Sequence, residues 1–490
     1  MKRISIILLL CSLICAFSAC GTPRDTSDTS VYETSLESTV TEKSVYTPNI
    51  PDDLNYKDQT FNFLSRTEPS GDWNVLDAYT EQENGDVLND AVYTRNRMIS
   101  EKFELDITQT LSDNSRTLLK KTVLADERVY DAVLTNGEDS FGMASEGHII
   151  DMNSLKYTDI DMPWWDTAMN SALSLYGKQY YAISDMNIMS WDATWITMVN
   201  KTVLGNLGED INDIYGKVKA GNWTIDDYTA ISKLNFEDID GDGITDSGDR
   251  YGTVIQSQGA DGFIMGCGVR YITKNDDGDI TLVPLDERSS NVFDKVSAIV
   301  NENVSFNSHN KKQNDKYSEN TEYSQRIFAE NRAIFFNETL QCVRRLRDME
   351  ADFGVIPMPK YDENQENYIL MTHWWATSMI SVPKNAADFD KSSAILEYMA
   401  YLSSDMVKPA YYDIAVNGKY LRDETSIEMM DYVMQERVID LSYILYGTEK
   451  ISGDIRNLIY KGEKDYASAY AKITESLSKD LDKRLEVIKE

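Results

Sequence analysis

Histidine is scarce in this chain of 490 residues, and its scarcity limits the chemistry that the chain can carry out. The three histidines, His148, His309 and His373, lie far apart in the sequence. A transition-metal site or a histidine base needs such side chains gathered with cysteine or carboxylates. The sequence also lacks a Gly-x-Ser-x-Gly elbow, a His-Glu-x-x-His helix and a phosphate-binding loop. Metal uptake and the hydrolytic reactions marked by these motifs are therefore not indicated.

The chain also contains few cysteines, and it has fewer basic than acidic residues. Of five cysteines, only Cys267 and Cys342 fall in the part of the chain that we expect to fold. They could pair in an oxidising exterior, but two cysteines do not specify a bridge, and buried thiols are the alternative. With 48 Lys and Arg against 81 Asp and Glu, the formal net charge is -33. Such a surface repels phosphate backbones, so nucleic acid is not an expected partner.

One long apolar run occurs, and it lies at the N-terminus. Lys2 and Arg3 precede the run, which extends over residues 4–14, so residues 1–19 are predicted to be a signal peptide that is removed. The small residues before Cys20 resemble the bacterial lipobox, which implies lipid on Cys20; the alternative is an ordinary signal followed by a plain thiol. Since no second run is long enough to cross a bilayer, the lipid is the only expected membrane attachment.

The next segment, residues 20–52, is predicted to be a disordered tether. Between Gly21 and Ile50, twelve of thirty residues are Ser or Thr, with scattered acidic residues and almost no apolar pattern. Such a segment cannot bury enough surface to fold. Its length and polarity suit a spacer between a membrane and a folded domain.

The rest of the chain is long enough for two domains and has an α/β pattern. Short clusters of β-branched and aromatic residues alternate with segments of helical period, which favours open sheets covered on both faces. The clearest strands are predicted at residues 60–64, 105–108, 130–134 and 333–336. The clearest helices are predicted at residues 88–103, 394–402, 427–438 and 473–488.

Several of these segments resemble, in order, the extracellular solute-binding proteins of bacterial ABC importers, in particular the carbohydrate-binding group known as family 1. Individually the matches are weak, but they span most of the mature chain. They are Leu88 to Arg97 continued to Ile107, Tyr130-Asp131-Ala132-Val133, Gly177 to Ile183, Val199-Asn200-Lys201, Phe353 to Tyr361 and Ser381-Val382-Pro383-Lys384-Asn385.

The resemblance implies a periplasmic-binding-protein-like fold with two discontinuous α/β lobes joined by a hinge. We expect residues 53–183 and 337–371 in the first lobe, and residues 184–336 and 372–490 in the second. It also implies a monomer on the extracellular face of the cell membrane that binds a small carbohydrate and meets ABC permease subunits. Closure of the lobes on the ligand would be a hinge motion.

One loop has the spacing of a calcium site. Five acidic side chains occupy positions one, three, five, nine and twelve, and Gly243 occupies position six, where the backbone must turn sharply. The expected ligands are Asp238, Asp240, Asp242, the Ile244 carbonyl, Asp246 and Asp249. A solvated acidic turn without metal is the alternative. Because no sensor-type helix precedes the loop, we interpret the Ca²⁺ as structural.

A sugar site combines flat aromatic rings with amides, carboxylates and arginine. The resemblance places such residues at the crossovers or lobe-facing loops, and it assigns no catalytic residue. The expected ligand-binding residues are Arg66, Glu68, Trp73, Asp185, Asn187, Trp191, Asn337, Glu338, His373, Trp374 and Trp375. Trp191 and Trp375 are the preferred stacking residues. Where two tryptophans are adjacent, strand alternation predicts one in the core and one exposed.

Three other functions compete with this interpretation. A secreted carbohydrate-active enzyme would need two carboxyls across the scissile bond, and 81 acidic residues contain many pairs without identifying one. A binding protein for a peptide or polyamine would also suit an acidic chain. An adhesin or polysaccharide-surface module is a further alternative.

Overall fold

The computed structural model describes residues 46–67, 76–256, 258–275, 278–302, 304–308, 321–413, 424–447 and 450–489. The predicted signal peptide, the lipid on Cys20 and nearly all of the predicted tether lie outside these residues, as do Glu68 and Trp73. The strands are β1 Gln59–Arg66, β2 Leu105–Ser112, β3 Ala132–Thr135, β4 Trp195–Asn200, β5 Tyr251–Ile255, β6 Ile272–Lys274, β7 Ile280–Leu282, β8 Ser305–Asn307, β9 Ala333–Thr339, β10 Phe353–Ile356, β11 Leu370–Met371, β12 Met379–Ser381 and β13 Arg437–Val438.

Helices surround these strands. They are α1 Val87–Phe103, α2 Ser115–Leu124, α3 Gly137–Ser145, α4 Thr167–Leu173, α5 Ile188–Asp192, α6 Lys201–Asn206, α7 Ile211–Lys219, α8 Ile225–Ser232, α9 Gly259–Gly266, α10 Glu287–Asn301, α11 Thr321–Ala329, α12 Gln341–Arg345, α13 Phe389–Tyr412, α14 Glu424–Gln435, α15 Leu441–Tyr446, α16 Ile451–Lys461 and α17 Tyr466–Lys489. None of the helices in the described ranges combines the length and the hydropathy needed to cross a membrane.

The first sheet has the strand order β12-β3-β1-β2, in which β12 is antiparallel to β3 and the other neighbours are parallel. Its strand β1 packs on both faces of the sheet because successive side chains point to opposite sides. Phe61 and Phe63 join the core formed with α1 and α13, whereas Leu64 joins the core on the other side. The alternating apolar residues of β1 therefore bind two helical layers together.

The second sheet has the order β10-β4-β9-β5-β8, with β4 antiparallel to both of its neighbours. Its central strands β4, β9 and β5 are buried throughout, and aromatic rings fill the space above them. Tyr228 of α8 stacks on Phe335 of β9 with ring centroids 4.6 Å apart, and Trp223 packs against the same ring. Two short pairs, β6 with β7 and β11 with β13, lie outside the main sheets.

The predicted elements are present at the predicted positions, with longer bounds in most cases. Two boundaries are wrong. The strand predicted over residues 130–134 begins at Ala132, and the helix predicted over residues 427–438 ends at Gln435, since Arg437–Val438 instead forms β13, which pairs with β11. Helical periodicity did not reveal this, since a two-residue strand is defined by its partner and not by its own pattern. Cys267 and Cys342 are buried free thiols.

The sheets divide the chain differently from the expected lobes. We expected residues 337–371 in the first lobe, but β10 pairs with β4 in the second sheet. We expected Ser381 and the residues after it to re-enter the second lobe, but β12 pairs with β3 in the first sheet. The reason is that the chain passes from the second sheet to the first between residues 372 and 380, later than the pattern suggested.

Candidate functional site

Two chain segments run antiparallel to each other between the sheets. The first connection, residues 182–195, leads from the first sheet into β4, and the second connection, residues 372–380, leads back into β12. Isolated bridges join them at both ends, Ala182 to Ile380 and Thr194 to Thr372. Relative movement of the sheets must therefore bend this paired ribbon.

Asn187 fastens the two connections together. Its Nδ2 donates to the Ser378 carbonyl at 3.0 Å, and its Oδ1 accepts from the Ser184 amide at 2.8 Å. Since these bonds use both ends of a fully buried amide, Asn187 holds the ribbon and does not face a ligand. This corrects the role expected from the sequence.

Asp185 and Trp191 also have structural surroundings. Asp185 pairs with Lys408 at 3.0 Å, and burial raises the pKa of its carboxyl despite that partner. Trp191 is 1 % exposed and packs against the ring of Tyr411, with centroids 4.9 Å apart. Trp191 therefore packs between elements instead of offering the expected stacking surface.

A charged network braces the first connection, and it was not found from the sequence. Asp192 accepts hydrogen bonds from Arg344 and from the Tyr411 hydroxyl, the latter at 2.8 Å. Asp77 accepts from the Met189 amide at 3.2 Å. Burial raises the pKa of Asp77 to about 7, with Asp192 adding to the rise. These contacts link segments more than 100 residues apart, which no local pattern encodes.

Asn337 and Glu338 lie within β9 and not at a crossover. Asn337 is saturated, because its Oδ1 accepts from Tyr228 at 2.5 Å and its Nδ2 donates to Thr197 at 2.9 Å. Glu338 is buried, and its Oε1 accepts from the Thr339 amide at 2.8 Å. Its Oε2 has no hydrogen-bond partner among the described residues. The crossover expected here does not exist, since the chain after β9 turns through α12 and returns in β10.

The turn at residues 373–375 brings predicted site residues together. The Arg66 guanidinium at the end of β1 lies 4.4 Å from the centroid of the Trp375 ring and donates to the Trp375 carbonyl. His373 stacks on Trp374 with centroids 6.0 Å apart. The Gly137 amide, at the start of α3, donates to the Trp374 carbonyl at 3.2 Å. This turn therefore meets the carboxyl ends of β1 and β3, where α/β proteins usually bind ligands.

His373 is neutral over the physiological range. Burial, together with the charges of Arg456 and Arg66, lowers the pKa of its imidazole to about 3. Its Nδ1 accepts from the Trp375 amide at 3.3 Å, so Nε2 carries the proton. That Nε2 atom, like Trp374 Nε1, is buried without a hydrogen-bond partner in the described part of the chain.

The other side of this turn contains residues that the sequence reasoning missed. Asp261, near the start of α9, forms an ion pair with Arg456 of α16. Trp195 packs beside α9, where a Cβ on Gly262 would lie 3.6 Å from it. The sequence could have indicated Asp261 as a site residue, because it is a carboxylate in a Gly-rich segment that follows a strand. It could not have indicated Arg456, because its partner lies 195 residues away.

The paired tryptophans do not follow strand alternation. Trp164 and Trp165 are both buried, and both indole nitrogens donate to Glu397 at 2.9 Å. They lie in a turn, where successive side chains can point the same way. Trp374 is 6 % exposed and Trp375 is half-buried. The prediction was that one tryptophan of the pair would be buried and the other exposed, so the observed difference in exposure is smaller than predicted.

The predicted calcium loop brings three of its expected ligands together. The carboxylates of Asp238, Asp240 and Asp242 are exposed, with one oxygen of each lying within 4.8 Å of the others. Gly243 has φ +77°, the left-handed turn expected at position six. Asp246 and Asp249 are turned elsewhere: Asp246 accepts from Gly248 at 2.6 Å, and buried Asp249 accepts from Ile239 and Asp246. The donor set around the three clustered carboxylates fits a hard cation such as Ca²⁺.

No protein-family model matches the sequence, and no curated protein matches it either. Solved structures do match, over nearly their whole length. Together with the two sheets and the paired connections, they show that this chain has the α/β, two-lobed fold of the periplasmic binding proteins.

Three of these structures illustrate the likeness. UspC of Mycobacterium tuberculosis matches with a TM-score of 0.56 and 13% identity, over 85% of this chain and 98% of its own. The ABC substrate-binding protein Lmo0181 from Listeria monocytogenes, in complex with cycloalternan, gives 0.54 and 13%, over 87% and 99%. UgpB from Mycobacterium tuberculosis, in complex with glycerophosphocholine, gives 0.54 and 12%, over 88% and 100%. At these identities the likeness establishes the fold alone.

Proposed function

We propose that this protein is the substrate-binding lipoprotein of an ABC importer, which captures a mono- or oligosaccharide between its two lobes and delivers it to a membrane permease. The observation that carries the proposal is the two-lobed fold with its paired connections. A ligand bound beside that ribbon contacts both halves and favours their approach. Of the similar structures named above, one holds cycloalternan and another glycerophosphocholine.

The turn at residues 373–375 supports a carbohydrate as the ligand. A sugar ring needs an apolar surface for its C–H face and polar groups for its hydroxyls. The half-buried Trp375 ring supplies the surface, and Arg66 lies against it. His373 and Trp374 add nitrogen atoms whose hydrogen-bonding capacity the described residues leave unused. Binding without chemistry suits this set, because Trp and Arg side chains are not nucleophiles and His373 Nε2 carries its proton.

The proposal extends to the position of the protein in the cell. A signal peptide over residues 1–19 and lipid on Cys20 would place the protein, as a monomer, on the extracellular face of the membrane. The Ser- and Thr-rich tether would allow the folded part to reach the permease subunits. The strongly acidic composition supports a small solute and not nucleic acid as the partner.

Calorimetric titration of the mature protein with a carbohydrate panel tests the ligand assignment. The panel should include hexoses, linear and cyclic glucans, glycerophosphocholine, a peptide and a polyamine. We expect at least one carbohydrate to bind with a stoichiometry of one and to be recovered unchanged. Binding of the peptide or polyamine alone would contradict the substrate, and recovery of a cleaved sugar would contradict the absence of catalysis.

We also propose that the loop from Asp238 to Asp249 holds a structural Ca²⁺. Asp238, Asp240 and Asp242 would supply three oxygens, and the remaining ligands expected from the spacing are the Ile244 carbonyl, Asp246 and Asp249. The loop lies between α8 and β5. A helix-loop-strand arrangement has no second helix to swing, which supports a structural ion and not a sensor.

A further inference from the structure

Hydrogen-bonding capacity is left unused around Arg456, beside the proposed sugar site. Asp261 is 1 % exposed and forms an ion pair with Arg456, yet its Oδ1 has no hydrogen-bond partner among the residues described. Burial raises the pKa of this carboxyl, while Arg456 and the nearby Tyr443 hydroxyl lower it. A carboxylate in such a place has one oxygen available for a donor.

Two hydroxyl groups extend the cluster. Tyr443 of α15 and Ser452 of α16 are buried. The Tyr443 hydroxyl lies close to both Asp261 and Ser452, but within the described ranges neither hydroxyl has a partner in good hydrogen-bonding geometry. Tyr443 nevertheless lies close enough to Asp261 and Arg456 for their charges to act on it. Hydroxyl groups both donate and accept, so this side of the cluster suits a ligand that does the same.

The cluster reaches the turn at residues 373–375. A Cβ built on Gly447, the residue that caps the end of α15, would lie 3.4 Å from Trp374, and burial and the charge of Arg456 both lower the pKa of His373. His373 Nε2 and Trp374 Nε1 are both N–H groups with no partner in the part of the chain described. Donors on the turn and acceptors near Arg456 therefore lie on two sides of one region.

On the Arg456 side of this region the formal charge is balanced, whereas the Arg66 guanidinium lies on the opposite side, over the Trp375 ring. Asp261 and Arg456 neutralise each other, and His373 carries no charge. A neutral polyhydroxyl compound can donate to Asp261 and accept from the indole and imidazole N–H groups. An anion would meet the Asp261 carboxylate, and its attraction to Arg456 would already be offset by that ion pair.

We propose that Asp261, held by Arg456 and flanked by Tyr443, receives hydroxyl groups of a neutral sugar and thereby selects against acidic sugars and sugar phosphates. Asp261 is a specificity-determining residue, and Arg456 positions its carboxylate. The inference rests on the proposed function and adds to it the charge class of the ligand. It also names a recognition group on the second-sheet side of the site.

The test uses the mature protein, the best neutral sugar from the panel, and the matching uronate and sugar phosphate. The variants are Asp261→Asn, Tyr443→Phe and the control Tyr56→Phe. Tyr56 has an equally buried hydroxyl without a partner among the described residues, but it lies in the first-sheet core beside Phe103. Thermal melting of each variant establishes that it is folded.

We expect the wild type to prefer the neutral sugar by at least about tenfold. Asp261→Asn should weaken neutral-sugar binding about tenfold or more and strengthen binding of the acidic counterparts, because the charge of Arg456 is then unbalanced. Tyr443→Phe should weaken the neutral sugar by about threefold or more, and Tyr56→Phe should not change it. If Asp261→Asn does not fold, Tyr443→Phe decides the matter.

If Asp261→Asn and Tyr443→Phe both bind the neutral sugar as tightly as the wild type does, this inference is overturned and the proposed function remains intact. A wild type that prefers the uronate or phosphate would overturn it in the same way. If the wild type binds no carbohydrate at all, the proposed function fails, and the inference fails with it.

Discussion

At the scale of single residues, the surroundings of each tryptophan nitrogen distinguish packing from recognition. Trp164 and Trp165 both donate to Glu397, and Trp223 donates to the Pro357 carbonyl at 3.3 Å. Trp374 and Trp195 have buried nitrogens without partners in the described ranges. Composition and spacing could not separate these groups, because a tryptophan in a core and one in a site have the same sequence signal.

Replacing Trp375 tests the stacking role. In Trp375→Ala the apolar face of the sugar loses its partner, and Arg66 loses the ring that it lies against. We expect sugar affinity to fall about tenfold or more in calorimetric titration, with partial recovery in Trp375→Phe.

The matched control is Tyr157→Ala. Lys156 lies 4.7 Å from the centroid of the Tyr157 ring, so this pair reproduces a cation over an aromatic ring outside both connections. Its loss should leave the affinity unchanged. An unaltered affinity in Trp375→Ala would remove Trp375 from the site.

Glu397 predicts a pH dependence of stability. Burial raises the pKa of its carboxyl to about 7 from an ordinary value of 4.5, against the lowering effect of hydrogen bonds from Trp165, Asp159 and Trp164. The folded protein therefore holds this proton more tightly than the unfolded chain does. The contribution of Glu397 to stability is largest below pH 4.5 and declines as the pH rises to about 7, by at most about 3 kcal/mol.

Urea unfolding of Glu397→Gln between pH 5 and 8 measures this contribution. A neutral amide removes the titration but turns its NH₂ toward one indole donor. We expect the variant to be about 1–3 kcal/mol less stable than the wild type at pH 5, with the difference narrowing by pH 8. The exposed Glu101→Gln is the control, and a difference independent of pH would contradict the assigned titration.

At the scale of elements, the geometry of the acidic loop could be predicted because its carboxylates lie close together in the chain. Spacing alone placed Asp238, Asp240 and Asp242 together around a left-handed Gly243. It did not reveal that Asp249 accepts two backbone amides. The side chains at the end of the loop respond to β5 and its neighbours, which lie outside the motif.

Calcium is expected to raise the melting temperature of the mature protein. At a hundredfold excess over Kd, binding to the folded state alone adds about 2.7 kcal/mol to its stability. Scanning calorimetry with Ca²⁺ and with chelator measures the shift, and Asp242→Ala should abolish it.

Asp348→Ala controls for the loss of one negative charge, because Asp348 is an exposed carboxylate outside the loop. That variant should keep the calcium-dependent shift. A melting temperature indifferent to chelator in the wild type would argue against a bound ion.

The connections between the sheets mark the limit of element-level prediction. The residue groups 185–191 and 373–375 were expected at crossovers, and the structure places both on the ribbon. The role of each residue was harder to predict. Asn187 uses its side-chain amide to satisfy polar groups of the two connections, because buried polar groups need hydrogen-bond partners. Trp191 packs against Tyr411 and is not available to a ligand.

At the scale of the whole molecule, one close approach offers a test of hinge closure. Gly137 begins α3 beside the first sheet, and a Cβ built on it would lie 2.3 Å from Ile444 of α15 and 3.2 Å from Met379. A larger residue must therefore push α3 and α15 apart. These helices belong to distant parts of the chain that meet next to the turn at residues 373–375.

We expect Gly137→Val to weaken sugar binding and to reduce the ligand-induced compaction measured by small-angle X-ray scattering. Gly205→Ala is the control, because the space around that helical glycine is open. Compaction equal to the wild type in Gly137→Val would show that closure does not require this contact.

The sequence by itself determined the local structure: the apolar strands, the periods of the long helices and the turn geometry of the acidic loop. These follow from burial periodicity and from residues close together in the chain. The order of strands, the point where the chain returns to the first sheet, and the pairs Arg66 with Trp375 and Asp261 with Arg456 were decided only by the tertiary structure. The periodicity of apolar residues shows which face of a helix or strand is buried, but not which element covers that face. Arg66 and Trp375 are 309 residues apart in the sequence, and Asp261 and Arg456 are 195 apart, so no local pattern links them.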